Sequence, residues 1–413
     1  MAASLLMSET LAVDGSVLIV GGGLAALRCA QGLRDQGFIG SITMVGDEPH
    51  LPYDRPPLSK QVATGKWPVE KTNLVDEERR AALRVDFVLG TRAVHLDPDR
   101  REVTFDDGSK RVADRVVIAT GATPRRLATG ADVVAHYVRT YENGLQLASS
   151  LSGPPKRVVV IGAGFIGAEV ASSARSLGHE VTVLETLAVP LSTVLGEQLG
   201  SRCAALHERN GTTLLTGVTI ESIEAGDDGT TLVALLDGTT HVADVLVIGI
   251  GVVPNTDWLN ESGIELDNGV VVDGALFATD TVMAIGDVAR FAWTRLGATS
   301  LTRIEHWQVA ADHGQFAATG LLRGRAFSPA IQLLPYFWSD QYGLKLQMLG
   351  RPELTDEVNI VLEEEDGKLL ALFRRGEALS AVFAISKPKQ LMGYRQLLLD
   401  GCLYDEALKL LNA

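Results

Sequence analysis

Two stretches of this chain carry one chemical pattern. Gly21-Gly22-Gly23-Leu24-Ala25-Ala26 follows the apolar run Ser16–Val20, and Gly162-Ala163-Gly164-Phe165-Ile166-Gly167 follows Arg157–Ile161. After each comes a stretch of helical character, a second apolar run (42–45, then 181–184) and an acid. Asp47 stands 24 residues beyond Gly23, and Glu185 stands 18 beyond Gly167. Glycine lets a backbone approach a pyrophosphate closely, and a helix N-terminus offers unpaired N–H groups to its charge. The acid accepts hydrogen bonds from an adenosine ribose. One such turn is weak evidence. Two in the same order of strand, glycine turn, helix, strand and acid predict two dinucleotide sites.

Other reactive residue types point nowhere else. Cys29, Cys203 and Cys402 lie far apart, without the short spacing of a zinc site, an iron–sulfur site or a redox dithiol. The eight histidines form no metal-ligand motif, so no metal site is expected. The formal charge of −14 argues against nucleic acid as a partner. The longest apolar run, 245–254, is well short of the ~20 residues of a membrane helix. Residues 1–15 lack Lys, Arg and a secretory apolar core, so they read as a loose extension, and a cytoplasmic location is expected.

The elements that must position these residues follow from the repeat. At 413 residues the chain exceeds one ordinary core. Each copy predicts a parallel strand pair joined by a right-handed crossover helix. A polar, proline-containing loop spans 49–60. The apolar runs 115–119 and 245–250 end in Thr120-Gly121-Ala122-Thr123-Pro124 and Gly251-Val252-Val253-Pro254-Asn255, which fit crossovers between adjoining domains. The run 282–285 leads into Gly286-Asp287. Beyond about residue 327 the pattern changes: Asp366-Gly367 between alternating segments signals a hairpin, and helix returns around 388–398. The expected fold is α/β, with two Rossmann-like domains and a C-terminal α+β domain. The first domain takes residues 14–122 and 254–326, the second 123–253, and the third 327–413.

Further motifs accompany the two turns: Tyr53-Asp54-Arg55-Pro56-Pro57-Leu58-Ser59-Lys60, Ala119-Thr120-Gly121, Ile285-Gly286-Asp287, Glu305-His306-Trp307 and Pro335-Tyr336-Phe337-Trp338-Ser339-Asp340-Gln341. In these the chain resembles the FAD-dependent pyridine nucleotide-disulphide oxidoreductase superfamily. Within it, the resemblance is to the NADH-dependent ferredoxin reductases of bacterial monooxygenase and dioxygenase systems. It extends over nearly the whole chain after the first dozen residues. The Pro-Pro-Leu-Ser-Lys segment and the last motif discriminate best, because general disulphide reductases lack them.

The resemblance implies a glutathione-reductase-like arrangement with an FAD-binding first domain and an NAD-binding second one. By matched position, Gly21, Gly23 and Ala25 contact the FAD pyrophosphate, Asp47 its ribose, and Ala93 its adenine edge. Arg139 meets its phosphate region, Asp287 its ribityl chain, and Trp307 brings backbone near the isoalloxazine. A bland alternative for Asp287 is helix N-capping. Gly162, Gly164, Ile166, Gly167, Glu185 and Gly251 fall to the nicotinamide dinucleotide. Hydride transfer needs no protein acid or base, since the flavin carries the chemistry. A lysine near the flavin's reactive edge stabilises negative charge there. A carboxylate on the second helix pairs with that lysine and holds the carboxamide. These are the positions of Lys60 and Glu169, which taken singly read as solvated charges. Trp338 reads as core or, in its motif, as a ring covering the flavin and facing an acceptor.

The implied reaction has FAD taking a hydride from NADH and passing single electrons to an acidic iron–sulfur ferredoxin, expected to be of the two-iron type. That protein would supply a haem-thiolate monooxygenase or a ring-hydroxylating dioxygenase; a rubredoxin is the alternative acceptor. A monomer is expected. Glu185, with no Arg or Lys in residues 186–189, implies NADH over NADPH. Rival readings are a cysteine-dependent peroxide or oxygen reductase built on Cys29, and a low-turnover redox sensor. A disulphide reductase would need two cysteines beside the flavin, and residues 51–60 hold none. Docking an acidic partner on an acidic protein needs a local basic patch. The candidates are Arg303, Lys345, Arg374, Arg375, Lys387 and Lys389.

Overall fold

The apolar runs before the glycine turns become central strands of two parallel sheets, as near-continuous Val, Ile and Leu runs do when covered on both faces. A computed structural model describes residues 10–294, 296 and 300–412 of the chain. Most of the expected N-terminal extension, residues 1–9, lies outside the described residues. The chain divides into two compact units. One takes the residues through Asp54, Thr72–Thr123 and Val253–Pro335; the other takes Arg55–Lys71, Pro124–Val252 and the residues from Tyr336 onward. Residues 55–71, which precede the crossover in chain order, therefore pack with the second unit.

In the first unit, strand Ser16–Val20 lies between Ser41–Gly46 and Arg115–Ile118, with Val85–Leu89 and Val282–Ala284 at the edges, all parallel. Residues Val17 to Val20 are at most 3% exposed. Each such buried aliphatic contributes about 1.5–3 kcal/mol before chain entropy is set against it. Helix Leu24–Asp35 crosses back over this sheet and packs on helix Trp307–Arg323 at small residues. A Cβ on Gly314 would lie 2.3 Å from the Ala25 carbonyl, so the helices approach nearly to backbone contact.

The second unit repeats the arrangement. Strand Arg157–Ile161 lies between Glu180–Glu185 and Val245–Ile248, flanked by Thr213–Thr216 and Ala135–His136. Helix Phe165–Ser176 makes the crossover. Each unit also carries a three-stranded antiparallel meander between its parallel strands. The fold is thus α/β with two Rossmann-like halves and a C-terminal α+β domain.

That C-terminal domain is a five-stranded antiparallel sheet in the order Tyr336–Gln341, Leu344–Gly350, Ala378–Ile385, Leu369–Arg375, Glu357–Glu363. Asp366-Gly367 lies in a hairpin turn as expected, with the Gly367 N–H donating to the Glu364 carbonyl at 3.0 Å. The helix anticipated over 388–398 is two short helices, Pro388–Gly393 and Arg395–Asp400, broken at Tyr394, and a third follows at Tyr404–Lys409. Tyr394 is 1% exposed and packs inward at the break. Along strand Tyr336–Gln341 exposure alternates, with Phe337, Ser339 and Gln341 buried and Tyr336, Trp338 and Asp340 half-buried.

Candidate functional site

The first glycine turn closes on its own sheet and leaves its far side open. Gly21 has φ +126°, and a Cβ there would sit 2.1 Å from the Ala119 carbonyl. Around Gly23 nothing approaches an added Cβ within 4 Å. Gly23 caps helix Leu24–Asp35 without a side-chain hydrogen bond, so the first-turn N–H groups, Ala25 included, are available to an anion. That donor set, facing open space, fits a dinucleotide pyrophosphate. Asp47 is exposed just past the end of strand Ser41–Gly46, whereas the neighbouring Glu48 accepts the Tyr53 hydroxyl at 2.5 Å. Ala93 is buried at the start of strand Ala93–Asp97.

Asp287 does not cap a helix. It sits half-buried in a single 3-10 turn, Gly286–Val288, after strand Val282–Ala284. Arg303 Nη1 donates to its carbonyl at 2.8 Å, and the Gly286 N–H donates to His313 Nδ1 at 3.2 Å. Burial pushes His313 down to about 4 against a smaller pull from Asp287, so the ring is neutral and carries its proton on Nε2. Trp307 opens helix Trp307–Arg323, and its indole Nε1 donates to Asp54 Oδ1 at 2.6 Å. This bond ties the helix start to the Tyr53-Asp54 segment.

In the second unit the same logic is tighter. Gly162 has φ +99°, with an added Cβ 2.4 Å from the Gly249 carbonyl, and a Cβ on Gly167 would lie 2.0 Å from the Gly162 carbonyl. Gly164 caps helix Phe165–Ser176 with no side-chain bond, and Ile166 is exposed on the first turn. Glu185 is 8% exposed. Its Oε2 accepts the Ala163 N–H at 2.7 Å, and its Oε1 accepts the Leu187 N–H at 2.9 Å and the Thr186 hydroxyl at 3.3 Å. The carboxylate is therefore fixed against the turn that it serves. Gly251, φ +94°, ends the neighbouring strand region and accepts the Arg125 N–H at 2.9 Å. Arg202, the first basic residue after Glu185, is held by Glu363 at 2.7 Å.

Lys60 and Glu169 meet in this unit. Lys60 Nζ lies 2.9 Å from Glu169 Oε1, with the two side chains 11% and 7% exposed. Neither is a solvated surface charge. The carboxylate also accepts the Ser59 hydroxyl at 2.5 Å, the Ser339 hydroxyl at 2.8 Å and the Asp340 N–H at 3.3 Å. Trp338 stands on the strand face opposite Ser339, half-buried and stacked on Tyr336 with ring centres 6.0 Å apart. Arg139, half-buried, accepts at its carbonyl from Arg55, just before the capping box of helix Tyr141–Ser150.

Sequence reasoning gave no role to Asp54, Ser59 and Ser339, although they fall within the quoted motifs, and His313 falls in none of them. Most of the charges offered as a docking patch have acidic neighbours. Arg303 is 8% exposed and pairs with Glu305 at 2.6 Å, and Arg375 is held by Asp356 at 2.8 Å and Glu353 at 3.0 Å. Lys345, Arg374 and Lys387 pair with Asp340, Glu357 and Glu364. Lys389 is exposed. Opposite charges a few residues or one strand away neutralise what the sequence displays as free cations. Burial pushes the Cys29 and Cys203 thiols up to about 12, so neither offers a thiolate near neutral pH. Among the described residues, no His, Cys, Asp and Glu group could hold a metal, and no helix is long and apolar enough to cross a membrane.

The pyridine nucleotide-disulphide oxidoreductase family model matches residues 15–314, and a reductase C-terminal model matches residues 336–409. Rhodocoxin reductase of Rhodococcus erythropolis is 35% identical over 93% of this chain and 89% of its own. The ferredoxin–NAD(+) reductase component of the anthranilate 1,2-dioxygenase system of Burkholderia cepacia is 38% identical over 81% of each chain. The crystal structure of the covalent putidaredoxin reductase–putidaredoxin complex superposes with a TM-score of 0.87, at 31% identity and over 94% of both chains. Two glycine turns, each with its acid, and a matching C-terminal sheet place the chain in the pyridine nucleotide-disulphide oxidoreductase family.

Proposed function

We propose that this chain is an NADH-dependent ferredoxin reductase. The observation that carries the reading is the continuous likeness to ferredoxin-reducing relatives, C-terminal sheet included, over 93% and 94% of the chain. Like its family, the chain uses FAD and NADH. When bound, FAD supplies the conversion of a two-electron donor into single electrons for an iron–sulfur acceptor.

The protein's part is to bind, orient and set charge. In residues 14–122 and 254–326, Gly21, Gly23 and Ala25 offer backbone to the FAD pyrophosphate and Asp47 accepts from its ribose. Ala93, Asp287 and Trp307 complete the cradle. In residues 123–253, Gly162, Gly164, Ile166 and Gly167 take the NADH pyrophosphate region, with Gly251 beside it. Glu185, held by the Ala163 and Leu187 N–H groups, accepts from the ribose and repels a 2′-phosphate. Lys60 holds positive charge 2.9 Å from Glu169, and Glu169 receives the carboxamide. Trp338, on the edge strand of residues 327–413, covers the flavin and faces the acceptor. The acceptor is an acidic two-iron ferredoxin of an oxygenase system, and the enzyme works as a cytoplasmic monomer.

The test is reconstitution with FAD, then NADH with a panel of purified ferredoxins and rubredoxins. The expected result is a yellow protein with one non-covalent FAD per chain that reduces at least one ferredoxin. Reduction of rubredoxin alone would move the acceptor to that class. A folded protein that neither holds nor takes up FAD would overturn the reading.

A further inference from the structure

Ser59 and Ser339 are the two hydroxyl side chains that close on Glu169. The carboxylate stands on helix Phe165–Ser176, and the chain reaches it from two sides. Strand Tyr336–Gln341 is already attached to that helix by other contacts. The Tyr342 N–H donates to Ser172 Oγ at 2.7 Å, and the Phe337 ring lies 4.6 Å from that of Phe165. The turn carrying Lys60 is attached as well, through the Ser59 carbonyl, which accepts the Ser173 hydroxyl at 2.7 Å. Yet both serines also aim their hydroxyls at Glu169, at 2.5 and 2.8 Å, and both are buried, at 3% and 0% exposure.

The distribution of donors is uneven. Lys60 Nζ, the Ser339 hydroxyl and the Asp340 N–H all converge on Oε1, while Oε2 receives the Ser59 hydroxyl. Each carboxylate oxygen has about two lone-pair sites, so Oε1 is filled and Oε2 keeps one acceptor position. The direction of the Ser339 proton is itself set. Its oxygen accepts from Gln341 Nε2 at 3.1 Å, and a carboxylate can only accept, so the hydroxyl donates to Glu169. The buried carboxylate is thus held by donors from two segments and keeps one open lone pair, on Oε2. The complementary ligand group is an N–H donor, and a primary carboxamide supplies one from its NH2.

We propose that Ser59 and Ser339 are positioning residues for NADH oxidation: they hold Glu169 so that Oε2 alone receives the nicotinamide carboxamide, beside Lys60. The inference rests on the ferredoxin-reductase reading and adds two residues to it. Neither serine touches the reacting atoms. Both act through the orientation of Glu169.

The variants Ser339→Ala, Ser339→Thr, Ser59→Ala and Ser59→Thr, each loaded with FAD, test this. Three quantities are measured: the dissociation constant for NAD+ by calorimetry, the rate constant of flavin reduction at saturating NADH, and the melting temperature. Loss of one hydrogen bond to a charged acceptor corresponds to about tenfold or more. Both alanine variants are expected to bind NAD+ and to be reduced at least about tenfold more weakly and slowly, and threonine is expected to restore most of each. A lower melting temperature with nucleotide affinity and reduction rate unchanged would make the serines structural and overturn the proposal. If Ser339→Ala does not fold, the Ser59 pair decides by the same criteria. A wild-type enzyme that oxidises NADH but reduces no ferredoxin overturns the functional reading alone, because both serine readouts precede electron output.

Discussion

Replacing Glu185 by alanine, E185A, separates two jobs of one carboxylate. Its roughly four lone-pair sites already serve the Ala163 N–H, the Leu187 N–H and, at 3.3 Å, the Thr186 hydroxyl. One site remains for a ribose hydroxyl, and a second opens if the long Thr186 contact yields. Each such bond to a charged acceptor is worth about 1.5–3 kcal/mol, so kcat/KM for NADH should fall roughly 10–100-fold at 1.4 kcal/mol per tenfold. NADPH, relieved of repulsion, should hold or gain, so the preference narrows by at least about tenfold. The variant also has a structural cost. Ala163 is 1% exposed, so its N–H is left unsatisfied at about 1–3 kcal/mol, whereas Leu187, 37% exposed, can turn to water. The assay is initial rates with NADH and NADPH, using ferricyanide as acceptor, beside a thermal melt. An unchanged NADH-to-NADPH ratio in E185A, or equal kcat/KM for both nucleotides in the wild type, would refute the argument.

Lys60→Met should slow flavin reduction by about tenfold or more in stopped flow and lower the flavin potential, because a nearby cation is lost. Its stability cost should stay below the ~3–5 kcal/mol of a stripped buried ion pair, since Ser59, Ser339 and Asp340 still donate to Glu169. Unchanged rate and potential would remove Lys60 from the mechanism. Gly167→Ala forces a Cβ to 2.0 Å from the Gly162 carbonyl. NADH binding should weaken more than tenfold while FAD content per chain is retained, and parallel loss of FAD would contradict the assignment of that turn. His207 and His313 are pushed down to about 4, by burial in both cases. A histidine with a lowered folded value stabilises fully above its unfolded value near 6.5, and that stability is lost as pH falls toward 4. The melting temperature should therefore drop between about pH 6.5 and 4, and His207→Gln should flatten part of that slope. A pH-independent melt over this window would exclude these histidines as the cause.

The sequence by itself determined what depends on near neighbours. Short apolar runs marked the inner parallel strands of both sheets, and Gly21 and Gly162 marked turns whose positive φ and close packing exclude a side chain. The acids Asp47 and Glu185 fell at strand ends because strand, turn and helix lengths are set by local geometry. The Asp366-Gly367 turn was legible for the same reason. Tyr342-Gly343, which joins Tyr336–Gln341 to Leu344–Gly350 with φ of +52° and +77°, was not, because tyrosine rarely takes the left-handed region.

Only the tertiary structure decided which charges are spent and which groups converge. Arg303, Arg375 and Lys387 look like free cations in the chain and are ion-paired in the fold. Residues 55–71 follow the first glycine turn in sequence but pack with the second unit. Ser59 and Ser339 reach Glu169 across 110 and 170 residues of chain. No propensity or period spans such distances. Propensity arises from contacts within a few residues, whereas the direction of a buried carboxylate is set by whichever donors the folded chain brings to it.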